Sequence, residues 1–481
     1  MDHVPPAQKA ERPVLVFAAF AASGHNSGLI QFARHLVSKG YTDLYFINGA
    51  EFRQAIERTG AIYVQNPWTW HDKAVNAPPP SPTSFLWHLK YVFAESTPDA
   101  YRTLKQTLED VHERHPGREV IIVHESAFCG LAPFYHGAPL PKGYSALPKV
   151  INFHASINTA NDDDVPPFGP GFVYDPTPQN KNIWKAMQKI GLHVWKDILN
   201  FMNAIYTKIG ANIPLTDPMT DVMMILGDVT IVATSPSLEY PRPNLDKNKI
   251  RFIGGLPLKA LDPNYDYPAW WDEITANAAL SEDEGRKKVV FVSQGTFDRN
   301  LKDLLVPTIR ALGSDENLMV VATLGMRGES SPLKEEEIPG NTKIVDYLAY
   351  DAILPYTDVF VCNAGYGGFM HGVMNGVAMV LAGMVNDKAE VSARAEYAGV
   401  AVNLRSNTPS GKQIKDGVAK VLSDKKFKET VVKIQQENEE LDAMGQIERL
   451  IEELADGSGK ERVDSVVNGV LSSNGVAVAA A

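Results

Sequence analysis

VLVFAAFAASGHNSGLIQFARHLV, residues 14–37, holds a complete strand–turn–helix unit. Residues 14–20 are continuously apolar, the pattern of a strand covered on both faces inside a parallel sheet. Gly24 and Gly28 mark a turn, and residues 29–37 then place apolar side chains at helical spacing. The unit recurs. Buried-strand runs are expected at 44–48, 120–123, 150–153, 229–233 and 251–254, with helical patterns between them and a long one over 183–209. A second series opens at Lys288 with VVFVSQG and continues through MVVATL, KIVDYL, VFVCN, AMVLAG and VAVNL. Two such series predict an α/β chain of two Rossmann-like units. The expected divisions are 1–258, a Pro-, Asp-, Glu- and Trp-rich linker at 259–286, a second unit at 287–445, and a tail at 446–481 packing back on the first unit. A charged helix is expected over 426–455. No short repeat is present, which argues against a solenoid or propeller.

Bulk composition narrows the function. At 481 residues the chain is too long for one core. Its net charge of −11 argues against a nucleic-acid partner, which needs a Lys/Arg excess. A nucleotide is still admissible, because helix N-termini bind pyrophosphate through backbone N–H groups. Two cysteines, Cys129 and Cys362, are too few for a disulfide framework or a structural zinc site. No run reaches the ~18–20 apolar residues of a membrane span, and the first residues lack the apolar core of a signal peptide. The expected protein is a cytosolic monomer with no metal site. The run Asn161-Asp162-Asp163-Asp164 is read as a solvated loop.

Ligands of two-lobed α/β chains bind at the carboxyl ends of the strands, and three such ends stand out. In ASGHNSG, His25 sits on the first strand–helix turn, where an imidazole can act as general base near neutral pH; the alternative is a capping turn with a backbone-bonded histidine. The GxxxG spacing there is not the GxGxxG dinucleotide fingerprint. In IIVHESAFCG, His124 and Glu125 end a buried strand, and a carboxylate there can orient and stabilise an imidazolium; the alternative is two solvated residues. In VCNAGYGGFMHGVMNG, residues 361–376, a strand runs through Gly365, Gly367 and Gly368 into a helix, an arrangement suited to phosphate. VSQGT adds a similar turn at Gly295 and Thr296. Two such turns in one unit favour a nucleotide diphosphate.

With these motifs in place, the chain resembles the nucleotide-sugar-dependent small-molecule glycosyltransferases of the GT-B fold. The resemblance runs from GHNSGLIQFARHL through VTIVATSPSLEYPRP, RFIGGLP and VVFVSQGT to residues 345–404. It implies two Rossmann-like domains facing a cleft, and it implies His25 as the base with Glu125 as its support, where Asp is more usual. A one-residue slip would transfer that support to His124. The donor motif departs from the plant pattern H-C-G-W-N-S: Asn363-Ala364-Gly365-Tyr366-Gly367-Gly368 stands in its place. His371 replaces the glutamate that grips the ribose. Tyr347 stands for the base-stacking tryptophan and Tyr350 for the glutamine after it. The sugar-binding Asp-Gln pair becomes Asp387-Lys388, which leaves an acidic sugar open beside a plain hexose. This pattern is similar to a microbial branch with N-x-G-Y-G-G.

The resemblance implies a metal-independent inverting displacement from a UDP-sugar, with UDP-glucose the first expectation and no cofactor. The acceptor is expected to be a hydroxyl of a small hydrophobic or phenolic natural product. An aromatic segment bearing Trp68, Trp70, Phe85 and Trp87 is the expected acceptor wall. Large nonpolar lipids are disfavoured without a membrane-binding segment. Two alternatives are a nucleotide-sugar epimerase, which needs no acceptor cavity, and a catalytically silent sugar-nucleotide-binding protein, which would bind donor without turnover.

Overall fold

In the computed structural model the described residues are 11–70, 73, 78, 84–295 and 300–456. They form two all-parallel sheets. The first has seven strands: β1 (Val14–Ala18), β2 (Leu44–Asn48), β3 (Ile62–Gln65), β4 (Val120–Glu125), β5 (Lys149–His154), β6 (Val229–Val232) and β7 (Ile250–Phe252). The second has six: β8 (Lys288–Ser293), β9 (Leu318–Thr323), β10 (Thr342–Val345), β11 (Val359–Cys362), β12 (Ala378–Leu381) and β13 (Ala401–Asn403). Their spatial orders are β3-β2-β1-β4-β5-β6-β7 and β10-β9-β8-β11-β12-β13. Most of the apolar runs read from the sequence are strands here. The short β3 is an addition: its partly exposed residues IYVQ lack the continuous apolar signal of the buried strands.

In both sheets the chain winds outward in one direction and then in the other. The switch lies between β1 and β4 in the first sheet and between β8 and β11 in the second. Connections leaving adjacent strands in opposite directions open a crevice at their carboxyl ends. Both crevices line a single cavity of about 640 Å³.

Apolar side chains on the faces of each sheet build the cores. Segment 259–286 contains the helix Trp271–Ala279 and packs Ile274 and Trp271 on the core of the second sheet. The expected single helix over 426–455 is two helices, Lys425–Leu441 and Ala443–Ala455. They break at Asp442, whose φ of 54° is left-handed and whose carboxylate accepts the Gly445 N–H at 3.0 Å. The break redirects the chain: Val431 and Ile434 pack on the second sheet, whereas Ile447, Leu450 and Ile451 pack on the first.

Further contacts tie the halves together beside the cavity. Arg394 is buried between Glu239 and Glu390, 2.9 Å from each, and Glu239 is anchored by the Asn158 N–H. Glu390 in turn accepts the N–H groups of Gly169 and Gly171 at 2.9 and 2.8 Å. Buried charges tolerate this setting because their hydrogen-bonding capacity is filled by opposite charge and by backbone donors.

Candidate functional site

The turn after β1 is fixed before any ligand arrives. The buried Asn26 side chain donates to the carbonyls of Phe20 and Ala22 at 2.7 and 2.8 Å, and Asn48 at the end of β2 donates to Asn26. The helix that follows, α1 (Ser23–Ser38), lies close on β5. A Cβ on Gly28 would stand 2.5 Å from the Phe153 ring, so only glycine permits that approach. The imidazole of His25 is flanked edge-on by Phe20 and Phe93, at 5.7 and 5.9 Å between centroids.

His25 Nδ1 lies 2.8 Å from Glu125 Oε1. The Glu125 side chain is buried, whereas that of His25 is 31% exposed toward the cleft. Burial pulls the imidazole pKa down, but the Glu125 charge and hydrogen bond outweigh it and hold His25 above its ordinary value of 6.5. His124 is placed differently. Successive strand residues face opposite sides of a sheet, so only one of the adjacent pair can face the turn, and Glu125 does. His124 is fully buried with Nδ1 on the Glu125 carbonyl, and burial pushes its pKa down to about 4.

Two residues absent from the sequence-based set extend this cluster. Ser126 Oγ lies 2.8 Å from His154 Nδ1 and 3.3 Å from Glu125 Oε1. His154 lines the cavity, and burial lowers its pKa despite the nearby Glu125 charge. The signal for it was present, since His154 directly follows the run 150–153 as a third strand-end titratable residue.

Across the cavity, Gly365, Tyr366, Gly367 and Gly368 form the turn from β11 into the helix α2 (Tyr366–Met374). Gly365 caps α2 without a side-chain hydrogen bond, so first-turn N–H groups and the positive helix end are presented to a ligand. A Cβ on Gly367 would meet no protein atom within 4 Å; that open space fits a phosphate group closely approached by backbone. Ala364 has a φ of 59° and Asn386, beside Asp387, a φ of 57°. Left-handed non-glycine residues are costly and concentrate at functional turns.

Asn363 bridges the two phosphate-suited turns: its Nδ2 donates to the Gln294 carbonyl, and its Oδ1 accepts from the Gly365 N–H at 3.3 Å. Gly295 follows Gln294 on the cavity wall. Thr296 lies outside the described residues. His371 lines the cavity with Nδ1 2.8 Å from Asp351 Oδ1, a partner 20 positions away that no periodicity announces. Tyr350 packs beneath Gly368, its hydroxyl 2.8 Å from Ser293 Oγ. Tyr366 reaches across the cleft to donate to the Ala233 carbonyl at 3.2 Å. Asp387 and the buried Lys388 also line the cavity, and Ser156 donates to Asp387 Oδ2 at 2.6 Å from the opposite half. Tyr347 stands outside this wall, with the Arg327 guanidinium 4.8 Å from its ring centroid.

Of the four expected acceptor residues, Trp70 and Phe85 line the cavity together with Phe20, Leu89, Phe93 and Phe168. Trp68 and Trp87 sit behind, packed against Phe20, Val92 and Ala127. Asp163 and Asp164 of the acidic run pair with Lys185 and Lys181. Among the described residues no group of three His, Cys, Asp or Glu side chains is arranged to hold a metal, and no helix is long and apolar enough to cross a membrane. The site therefore sets a carboxylate-supported imidazole opposite a helix N-terminus, with an apolar wall beside them.

Comparison with known proteins finds relatives over most of the chain. Residues 181–440 match the family described as UDP-glucoronosyl and UDP-glucosyl transferase. UDP-glucosyltransferase 1 of Beauveria bassiana is 38% identical over 91% of this chain and 94% of its own. UDP-glycosyltransferase 2 of Phaeomoniella chlamydospora is 31% identical over 92% and 96%. Among solved structures, the glycosyltransferase of kitacinnamycin superposes with a TM-score of 0.66 at 16% identity, covering 92% of this chain and all of that one.

Proposed function

Because the chain belongs to the UDP-glucuronosyl and UDP-glucosyl transferase family, we propose that it transfers glucose from UDP-glucose, with inversion, to a hydroxyl of a small apolar acceptor. The observation that carries this reading is the His25–Glu125 pair at the mouth of a cavity whose opposite wall is a glycine-lined helix N-terminus. His25 Nδ1–H is held by Glu125, which leaves Nε2 as the base. Nε2 takes the acceptor's hydroxyl proton while that oxygen bonds to the anomeric carbon. The bond from that carbon to the diphosphate oxygen breaks, and the electron pair leaves with UDP. Glu125 stabilises the imidazolium, a role typically part of a ~10²–10⁴-fold acceleration. N–H groups after Gly365 face the negative charge gathering on the diphosphate.

Asp387 accepts sugar hydroxyls after exchanging its Ser156 bond. His371, oriented by Asp351, takes the ribose side, and Tyr350 borders the donor; Tyr347, the expected stacking residue, stands outside the cavity wall and takes no part. Phe20, Trp70, Phe85 and Phe93 favour a flat or apolar acceptor. Names of relatives support glucose as the transferred sugar. No metal takes part in these steps, and a cytoplasmic, monomeric enzyme of secondary metabolism fits them.

The test is mass spectrometry of wild type and His25→Ala with UDP-glucose and a pool of phenolic and polyketide aglycones. A gain of one hexose in the wild type, reduced at least about a hundredfold in the variant, is expected. Undiminished product in the variant removes His25 as base. Donor consumption to an epimer without any acceptor would overturn transfer itself.

A further inference from the structure

Residues 155–177, between β5 and the long helix Pro178–Lys208, form no helix or strand. Irregular segments of this length inside a compact fold are uncommon and usually functional. This one crosses to the second half and is fastened there to one helix, α3 (Lys388–Tyr397), at three points. At its start, Ser156 donates to Asp387, the N-cap residue of α3, at 2.6 Å. In its middle, the N–H groups of Gly169 and Gly171 converge on Glu390 Oε1 at 2.9 and 2.8 Å. Near its end, Tyr174 meets the Tyr397 ring edge-on at 5.1 Å and stacks on Tyr240 at 4.6 Å.

The middle contact is built for close approach. Pro170 has no N–H, so Gly169 and Gly171 supply every backbone donor of the turn 169–171, and Glu390 takes both. Gly171 has a φ of 63°, and a Cβ there would stand 2.5 Å from the Ala389 carbonyl oxygen of α3. Only glycine lets the turn lie so closely on the helix. The Glu390 carboxylate is buried and its two oxygens are divided: Oε2 holds Arg394 at 2.9 Å, and Oε1 holds the turn. Releasing the turn would leave a buried, charged oxygen without its donors, a cost that favours the attached state.

What the turn carries belongs to the cavity. Phe168 adjoins Gly169, lines the cavity, packs on the core of the second half and meets Phe85, another wall residue, at 6.0 Å. The helix that holds the turn starts at Asp387 and Lys388, which line the same cavity. We propose that Glu390 is a positioning residue for the acceptor: working from the second half, it holds the Gly169–Gly171 turn and thereby keeps Phe168 on the cavity wall. When a sugar takes over Asp387, the Ser156 fastening is released and Glu390 remains the polar hold on the segment. The hold itself stands without the transferase reading; its consequence for the acceptor rests on that reading.

Hydrogen exchange over residues 165–175, read without turnover, tests the hold. Glu390→Asp keeps the charge that faces Arg394 but is one methylene shorter, and Gly171→Ala drives a Cβ into the Ala389 carbonyl. Each should speed exchange of the residue 169 and 171 amides about tenfold or more, with unchanged circular dichroism. The consequence is read with the aglycone that wild type glucosylates fastest in the phenolic and polyketide pool. Both variants should raise the KM for that acceptor about tenfold and leave the KM for UDP-glucose unchanged. Phe168→Ala should raise the acceptor KM as well, and Gly171→Ala added to it should change nothing further, because the turn acts through that ring. Unaltered exchange, a donor KM that rises with the acceptor KM, or additive effects in the double variant would overturn the proposal. If wild type converts no aglycone, transfer fails and the acceptor part falls with it, while the exchange result still decides the hold.

Discussion

His25–Glu125 and His371–Asp351 are both imidazole Nδ1–carboxylate pairs at 2.8 Å, one in each half of the molecule and both at the same cavity. They differ in what else the carboxylate holds. Glu125 Oε1 serves His25 and, at 3.3 Å, Ser126, while Oε2 is buried without a partner. Asp351 also accepts from Asn375 Nδ2 and from the Lys259 N–H, and although burial pushes its carboxyl up, these donors with His371 hold it below the usual carboxylate range. A carboxylate satisfied by several neutral donors gains little when its histidine becomes charged. One buried with a single imidazole and one hydroxyl gains much more, because the charge it faces is otherwise uncompensated. The same pair is thus suited to proton transfer in the first half and to holding a ligand-facing ring in the second.

Exchanging Glu125 should have the largest effect. Glu125→Gln is expected to lower kcat by about a hundredfold or more and to move the acid limb of the rate profile. The base must be neutral, so activity falls as pH drops through the His25 pKa, which Glu125 raises. Loss of that charge lowers the pKa, and the limb should shift to lower pH. A pH profile of kcat/KM checks this, and an unmoved limb would separate Glu125 from the base.

An intermediate effect is expected at the donor turn. Gly367→Val places a branched side chain in the open space at the first turn of α2 and should raise the KM for UDP-sugar about tenfold, with the melting temperature little changed. An unchanged KM would place the diphosphate elsewhere. The smallest effect belongs to the second pair. Asp351→Asn should raise the donor KM about threefold, the scale of one hydrogen bond, and leave the acid limb where it is. A shifted limb would make the two pairs equivalent and break the comparison.

Much of this was legible in the sequence, for particular reasons. Apolar runs such as 14–20 and 359–362 announce strands because residues buried on both faces have no freedom to be polar. Strand ends announce the site because a parallel sheet exposes its ligands there, which brought forward His25, Glu125 and Gly365, whereas Asp387 came only from the family resemblance. Less legible was which of His124 and Glu125 faces the turn, since that depends on register. Asp351 was silent, being an aspartate in a short helical turn whose partner is set by packing of α2 over Tyr350. Trp68 and Trp87 carry the same signal as Trp70, and only their position relative to Phe20 separates back row from wall.

By itself the sequence determined the two sheets, the turn types and the chemical inventory of the cleft, because these follow from local patterns of burial and backbone freedom. The tertiary structure decided partnership: it chose Glu125 over His124 for His25, and it alone paired Asp351 with His371, Ser156 with Asp387, and Arg394 with Glu239 and Glu390. Those pairs are 20 to 231 positions apart, apart from the neighbouring turn of Arg394 and Glu390. Their distances are fixed by strand order and sheet packing, which no window of sequence contains.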